Sequence, residues 1–280
     1  MTLGQLLKKG TASLKDCGTD NAENEALWLL ESATGLSHSG LLLSFDRDCG
    51  DICPEYEKLI EKRKSGIPVQ YITGTWPFYG IEYSVGEGVL IPRPETEMLV
   101  DCALERLKGK KAPVVIDFCA GTGCVGLTVA KLIPDSWVFL IEKYDKPFEY
   151  LEKNRARLQL GNVFTVKGDI FDRKLTFPKA DLILSNPPYI RSSECGSLQR
   201  EVLREPVEAL DGGEDGLEFY YAIAERAMKS GSDAVAVECG EDQAKSIAKI
   251  FAAYGKAHAV KDFANTERMV VIERTISDVT

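Results

Sequence analysis

The stretch Ala112-Pro-Val-Val-Ile-Asp-Phe-Cys-Ala-Gly-Thr-Gly-Cys-Val-Gly126 decides the fold. Its first half is an apolar, β-branched run that reads as a buried strand, and the glycines that follow mark a tight loop opening a helix. In the loop Cys119-Ala120-Gly121-Thr122-Gly123, the glycines let bare backbone approach a ligand. The unpaired N–H groups of a helix start favour an anion there. A strand–helix turn with no ligand fits the same residues. The next apolar run, Trp137-Val-Phe-Leu-Ile141, ends in Glu142. An acid about 20 residues beyond a glycine loop, at a strand's end, is placed to accept hydrogen bonds from both hydroxyls of a ribose. Its plain alternative is an exposed carboxylate capping the next helix. A third run, Asn162–Lys167, leads to Gly168-Asp169-Ile170, an acid at another carboxyl edge where an adenine ring can lie. The fourth, Asp181–Ser185, runs into Asn186-Pro187-Pro188-Tyr189. Four consecutive strand ends thus carry ligand-type groups on one edge of a parallel sheet, the edge at which doubly wound folds bind ligands.

Asn-Pro-Pro-Tyr is suited to holding a planar –NH2 group. Asn186 offers a side-chain carbonyl, the prolines have no N–H and present carbonyls, and Tyr189 supplies a flat face. An amide or exocyclic amine is a poor nucleophile because its lone pair is delocalised. A site that grips both N–H groups can turn that lone pair toward an electrophile. The competing reading is a strand stopped by a proline turn.

Apolar periodicity organises the rest. Residues 2–9, 20–34 and 55–64 read as amphipathic helices and define an amino-terminal helical domain, residues 1–74. Residues 75–92, rich in Trp, Phe, Tyr and Gly, read as a β-hairpin linker, and residues 93–280 as the main domain. A helix opens at Arg93, with Pro94 in its first turn and Glu95 and Glu97 complementing its dipole. Strands are expected near 113–118, 137–141, 162–167, 181–185 and 233–238, with a closing pair near 257–263 and 268–274. The first five alternate with helices, which predicts a parallel sheet covered on both faces.

With 280 residues, 44% hydrophobic and 28% charged, the chain has room for one sizeable core and an accessory domain. The net charge is −9, and residues 1–75 carry 8 basic against 11 acidic side chains. Proteins that grip a phosphate backbone unaided usually show a positive footprint, so direct nucleic-acid binding is not expected. No apolar run is long enough to span a bilayer, and the amino terminus reads as an amphipathic helix rather than a signal peptide. Eight cysteines, none in a Cys-x-x-Cys pair, point to a cytoplasmic protein with reduced thiols. Cys49 and Cys53 raise the idea of a metal, but the only histidines, His38 and His258, lie far apart in sequence and no metal is expected.

In order, Pro68-Val-Gln-Tyr-Ile-Thr-Gly74 with Phe78, Val89-Leu-Ile-Pro-Arg-Pro-Glu-Thr-Glu97 and Asn186–Tyr189 resemble segments of one family. Glu205-Pro206 with Ala209-Leu210, Gly212-Gly213-x-x-Gly216-Leu217, and Glu238-Cys-Gly240 with Gln243 continue the likeness. The chain resembles the S-adenosylmethionine-dependent methyltransferases, and more narrowly the HemK/PrmC peptide-chain-release-factor glutamine N5-methyltransferases. That resemblance implies an α/β, class I methyltransferase fold. Its Rossmann-like seven-stranded sheet has the last strand inserted antiparallel, and a small amino-terminal helical domain recognises substrate. It implies S-adenosylmethionine as methyl donor, S-adenosylhomocysteine as product, no metal, and class 1 release factors as partners.

By the same resemblance, residues 119–123 would hold the methionine portion, Glu142 the ribose, and Asp169 with Ile170 the adenine edge. Asn186, Pro187 and Tyr189 would act on the substrate amide, with Asn186 also beside the cofactor. Pro188, Arg93, Glu95 and Thr96 would shape the substrate entrance. A well-capped helix start accounts equally for the last three. The sequence has Cys119 where the family usually has its first glycine, Glu142 where Asp is common, and Ile170 where a larger side chain is frequent. A methyltransferase acting on a ribosomal-protein glutamine, an adenine-N6 DNA methyltransferase, a dinucleotide oxidoreductase and a non-catalytic cofactor-binding protein stand as alternatives. The oxidoreductase leaves Asn186–Tyr189 unexplained, and no segment is left over for the target-recognition domain of a DNA enzyme.

Overall fold

The computed structural model describes residues 1–275, which divide into two units: Met1–Trp76 with Gln199–Arg204, and Pro77–Leu198 with the chain from Glu205 onward. In the first unit, α1 (Leu3–Asp16) starts at a capping box, in which Thr2 Oγ1 accepts from Gln5 N–H and Gln5 Oε1 accepts from Thr2 N–H. It is followed by α2 (Ala22–Thr34), α3 (His38–Leu42), α4 (Ile52–Lys64) and α5 (Val69–Thr73). Leu6, Leu14, Leu29, Leu30 and Tyr56 are fully buried between them. α1 runs well past the expected residue 9, and α4 starts before residue 55. Gly10 is a poor helix former, but a Cβ there would lie 2.0 Å from Tyr56 Oη, so helix packing overrides propensity. Buried Arg63 pairs with Glu25 and with Glu201, and Arg200 and Arg204 donate to Ser65 O, which ties 199–204 into this unit. Cys49 and Cys53 form a disulfide, correcting the expectation of reduced thiols at that pair; the other six cysteines are free.

A hairpin follows: β1 (Thr75–Phe78) and β2 (Ile81–Ser84) turn through Tyr79 and Gly80, both at positive φ. A single 3₁₀ turn, Pro94–Thr96, precedes α6 (Glu97–Arg106). Then come β3 (Val114–Phe118), α7 (Cys124–Leu132), β4 (Trp137–Glu142), α8 (Asp145–Leu158), β5 (Val163–Lys167) and β6 (Leu182–Ser185). α9 (Glu218–Ser230), β7 (Ala234–Glu238), α10 (Ala244–Ile250), β8 (Gly255–Lys261) and β9 (Glu267–Arg274) follow among the described residues. The sheet order is β5-β4-β3-β6-β7-β9-β8, parallel through β7, with β9 antiparallel to both neighbours.

Because side chains alternate across a strand, each central strand feeds two cores. Val115, Leu140, Leu182 and Ala236 pack with Leu99, Leu127 and Leu151 of α6, α7 and α8. Ile116, Ile141, Ile183 and Val237 pack with Ile223 of α9 and Ile247 of α10 on the other face. One expected alternation fails. Between β5 and β6 the chain crosses without a helix, and Leu175 and Phe177 of that crossing cover the second core.

Gly123 caps α7 at φ 80°, and a Cβ there would lie 2.3 Å from Leu151 Cδ1 and 2.9 Å from Leu127 Cδ1. Gly123→Ala should therefore destabilise the protein by about 1–3 kcal/mol through overpacking alone. Urea unfolding measures this, and an unchanged midpoint would show that α7 and α8 can separate freely.

Candidate active site

Phe118 at the end of β3 is paired with Ile141 of β4 and with Ser185 of β6, and Ser185 is paired with Val237 of β7. The next residues, Cys119, Glu142, Asn186 and Glu238, therefore emerge at one level of the sheet. A cavity of about 360 Å³ opens there. Of the residues singled out in the sequence, Arg93, Thr96, Cys119, Ala120, Gly121, Thr122, Glu142, Asp169, Ile170, Asn186 and Pro188 line it. Glu95 is exposed, and neither it nor Gly123, Pro187 or Tyr189 is among the residues lining the cavity.

The loop after β3 begins with Cys119 at φ 58°, a left-handed conformation that a glycine would adopt with less strain, followed by Gly121 at φ 55°. A Cβ on Gly121 would meet no protein atom within 4 Å, so its bare backbone borders open space on the cavity side. Gly123 differs, since its missing side chain is demanded by leucine packing. The buried Glu142 carboxylate accepts from Gly121 N–H through Oε2 and from Tyr144 N–H through Oε1, each at 2.9 Å. Burial pushes its pKa up, opposed by these N–H groups. Beneath the loop, fully buried Asp117 accepts from Gly126 N–H at 2.9 Å and is pushed up to about 7 by burial. Asp169 accepts from Phe171 N–H at 2.9 Å and pairs with Lys143 at 2.9 Å. These contacts outweigh the upward push of burial and hold its carboxyl below the usual range.

At the neighbouring strand end, Asn186 Nδ2 donates to Thr96 Oγ1 at 3.0 Å, and the Thr96 hydroxyl donates to Glu238 Oε2 at 2.6 Å. Tyr189 Oη donates to Glu238 Oε1 at 3.4 Å, so the phenol is turned toward that carboxylate. Gln243 Nε2 donates to Tyr189 O at 2.8 Å and to Gly216 O at 3.1 Å. A Cβ on Gly216 would lie 2.4 Å from Tyr189 O, and one on Gly212 2.7 Å from Tyr189 Cα. Gly212, Gly216 and Gln243 together clamp the backbone of the tetrapeptide. Arg93 pairs with Glu205, which also accepts from Ile91 N–H at 2.9 Å.

Asp117 and Glu238 are site acids to which the sequence assigned no role, although Glu238 stands in a segment that resembles the family. Glu238 closes a buried strand just as Glu142 does, and that parallel was a usable signal. Asp117 interrupts an apolar run, the signature of a polar group held inside. Among the described residues, no cluster of three or more His, Cys, Asp and Glu side chains is arranged to hold a metal ion.

A parallel sheet with an antiparallel seventh strand, and a cavity at its carboxyl edge, define the second unit as a class I methyltransferase. Residues 95–216 match the methyltransferase small domain, and the hMettl16 catalytic domain shares the fold, with TM-score 0.56 at 16% identity over 71% of this chain and 77% of that one. Residues 5–74 match the PrmC N-terminal domain. The release factor glutamine methyltransferase of Thermodesulfovibrio yellowstonii is 39% identical over 79% of this chain and 81% of its own. That of Clostridium botulinum is 33% identical over 96% and 98%. The chain belongs to the release factor glutamine methyltransferase family.

Burial pushes Glu238, like Asp117, up to about 7, with Glu95 adding to the push and Thr96, Tyr189 and Arg268 opposing it. Between the ordinary carboxyl range and 7, the folded chain holds protons that the unfolded chain has released. Stability must therefore fall as pH rises through that window. Glu25 and Glu142 shift in the same direction. Glu238→Gln should match wild-type stability near pH 5 and exceed it by on the order of 2–3 kcal/mol at pH 8. Equal unfolding free energies at both pH values would mean that Glu238 ionises as easily as a surface carboxylate.

Proposed function

We propose that this chain transfers the methyl group of S-adenosylmethionine to the side-chain amide nitrogen of the glutamine in the Gly-Gly-Gln motif of class 1 peptide chain release factors, and so modulates translation termination. The observation that carries the reading is the fixed amide of Asn186. Its Nδ2 is spent on Thr96, and no hydrogen bond from the described residues reaches its Oδ1. That carbonyl and the carbonyl of Pro187 accept the two N–H groups of a glutamine amide, turning the nitrogen lone pair toward the methyl carbon. S-adenosylmethionine supplies an electrophilic methyl on a sulfonium and leaves as S-adenosylhomocysteine.

The residues present fit that cofactor. The open side of Gly121 admits a ligand against bare backbone, with Cys119, Ala120 and Thr122 beside it. Each Glu142 oxygen uses one lone pair on a backbone N–H and keeps another for a ribose hydroxyl. Ile170 and Phe219 give apolar walls for an adenine near Asp169. Alignment and charge-matching are the main things a displacement of this kind gains from a protein. Arg93, Thr96 and Pro188 shape the entrance. Residues 1–74 serve as the release-factor recognition domain, 75–92 as the hairpin linker and the remainder as the catalytic domain, in a cytoplasmic protein that acts on protein rather than directly on nucleic acid. No described helix is long and apolar enough to cross a membrane.

Incubation with methyl-labelled S-adenosylmethionine and a purified class 1 release factor should label the Gly-Gly-Gln glutamine, and replacing that glutamine should abolish the label. Asn186→Ala should lower single-turnover rate by roughly 10²-fold, comparable to losing one preorganised polar contact, with cofactor affinity changed far less. Glu142→Ala should weaken S-adenosylmethionine binding by about 1.5–3 kcal/mol, the range for hydrogen bonds to charged groups. Methylation of duplex DNA with none of the release factor would overturn the assignment. Wild-type turnover in Asn186→Ala would reduce Asn186–Tyr189 to a turn.

A further inference from the structure

We propose that Glu238 is a positioning residue which, through the Thr96 hydroxyl, locks the Asn186 amide with its carbonyl toward the substrate nitrogen. The inference rests on the amide methylation proposed above. An asparagine amide is nearly symmetric in shape, and either end can face the cavity. Turned over, Asn186 would aim its –NH2 at the N–H groups of the glutamine and have nothing to accept them with. What selects the orientation is a chain of single protons. An ionised Glu238 only accepts, so it claims the one hydroxyl proton of Thr96 at 2.6 Å. Thr96 Oγ1 can then only accept from Asn186, at 3.0 Å, and the amide must present Nδ2 to it. Chains of this kind also polarise one another, so the carboxylate strengthens Asn186 Oδ1 as an acceptor. Protonating Glu238 removes the constraint, because the Thr96 hydroxyl is then free to rotate and donate to an inverted amide.

Two further observations favour this role over a packing one. Glu238 is 4% exposed, yet no salt bridge among the described residues closes on it. A buried carboxylate without an ion-pair partner costs stability, and such costs concentrate at functional sites. Second, both of its side-chain bonds run to the reacting segment: one reaches Asn186 through Thr96, the other comes from Tyr189 of the same tetrapeptide. The ionisable groups around it include Glu95, Cys124, Tyr189, Tyr220, Cys239 and Arg268, of which Arg268 is the cation that favours its charged form. Burial raises Glu238 to about 7, so the lock sets near neutral pH.

The test is single-turnover methylation of a class 1 release factor from pH 6 to 9, with S-adenosylmethionine affinity measured by calorimetry as a check on folding. Wild-type rate should rise about tenfold per pH unit below 7 and level off above it, as one essential ionisation requires. Thr96→Val keeps the shape and removes the hydroxyl; it should lower the plateau roughly 10–100-fold while cofactor affinity holds. Thr96→Ser restores the proton chain and should recover most of that loss. Glu238→Gln should be slower than the wild-type plateau and lose the acid limb. A Thr96→Val rate equal to that of Thr96→Ser, or an acid limb persisting unchanged in Glu238→Gln, overturns the lock while leaving the methylation reading intact. A wild-type protein that transfers no methyl group to the release factor overturns that reading, and the lock with it.

Discussion

Parallel pairing of β3 with β4 on one side and β6 on the other, Phe118 opposite both Ile141 and Ser185, sets the level at which the functional groups emerge. A slip of one residue would turn each side chain to the opposite face and bury the wrong half of every strand. The pairing is held because β3, β4, β6 and β7 are apolar on both faces, so two cores resist any shift. The glycine loop, Glu142, Asn186 and Glu238 then need no individual placement. Each is simply the residue at or just beyond the end of a strand whose neighbours are already in register.

The same edge concentrates cost. Asp117, Glu142 and Glu238 are all buried carboxyls at strand ends, and in each burial drives the proton on. Backbone N–H groups from Gly121, Gly126 and Tyr144 offset part of this for Asp117 and Glu142. Among the described residues, Glu238 has the hydroxyls of Thr96 and Tyr189 as its donors, which are weaker compensation for a charge. Cys119 adds backbone strain at a left-handed angle in the same loop. The cavity edge therefore carries costs that the apolar strands do not, as expected where preorganised polarity is kept for chemistry.

Strand positions were legible because buried parallel strands appear as short β-branched runs ended by Gly, Pro or acids, and all seven main-sheet strands fall within two residues of their expected bounds. Helix limits were less so. α1 crosses Gly10, where propensity argues for an end, but the close approach of Tyr56 makes glycine the residue that fits. The crossing between β5 and β6 carries no helix, although the alternation predicts one. In the site, the residues at strand ends were legible and the contacts between them were not. Thr96 and Glu238 are 142 positions apart, and no local period links them. Cys49 and Cys53, read as thiols from compartment and spacing, are joined.

The glycine loop and the strand-end acid alone could not separate a methyltransferase from a dinucleotide oxidoreductase, since both use them at the edge of a parallel sheet. The difference lies in how much of the molecule converges on residues 186–189. A turn that merely ended β6 would need its backbone satisfied and nothing more. Here Gln243 holds Tyr189 O, Gly212 and Gly216 are bare so that another strand of backbone can lie against Tyr189, and Thr96 reaches Asn186 from a separate turn. Glu238 closes the set from the adjacent strand end. Three segments distant in sequence, at Thr96, residues 212–216 and residues 238–243, thus restrain one tetrapeptide whose asparagine carbonyl accepts no hydrogen bond from the described residues. Restraint of that extent around an open acceptor supports the amide-holding role proposed for Asn186.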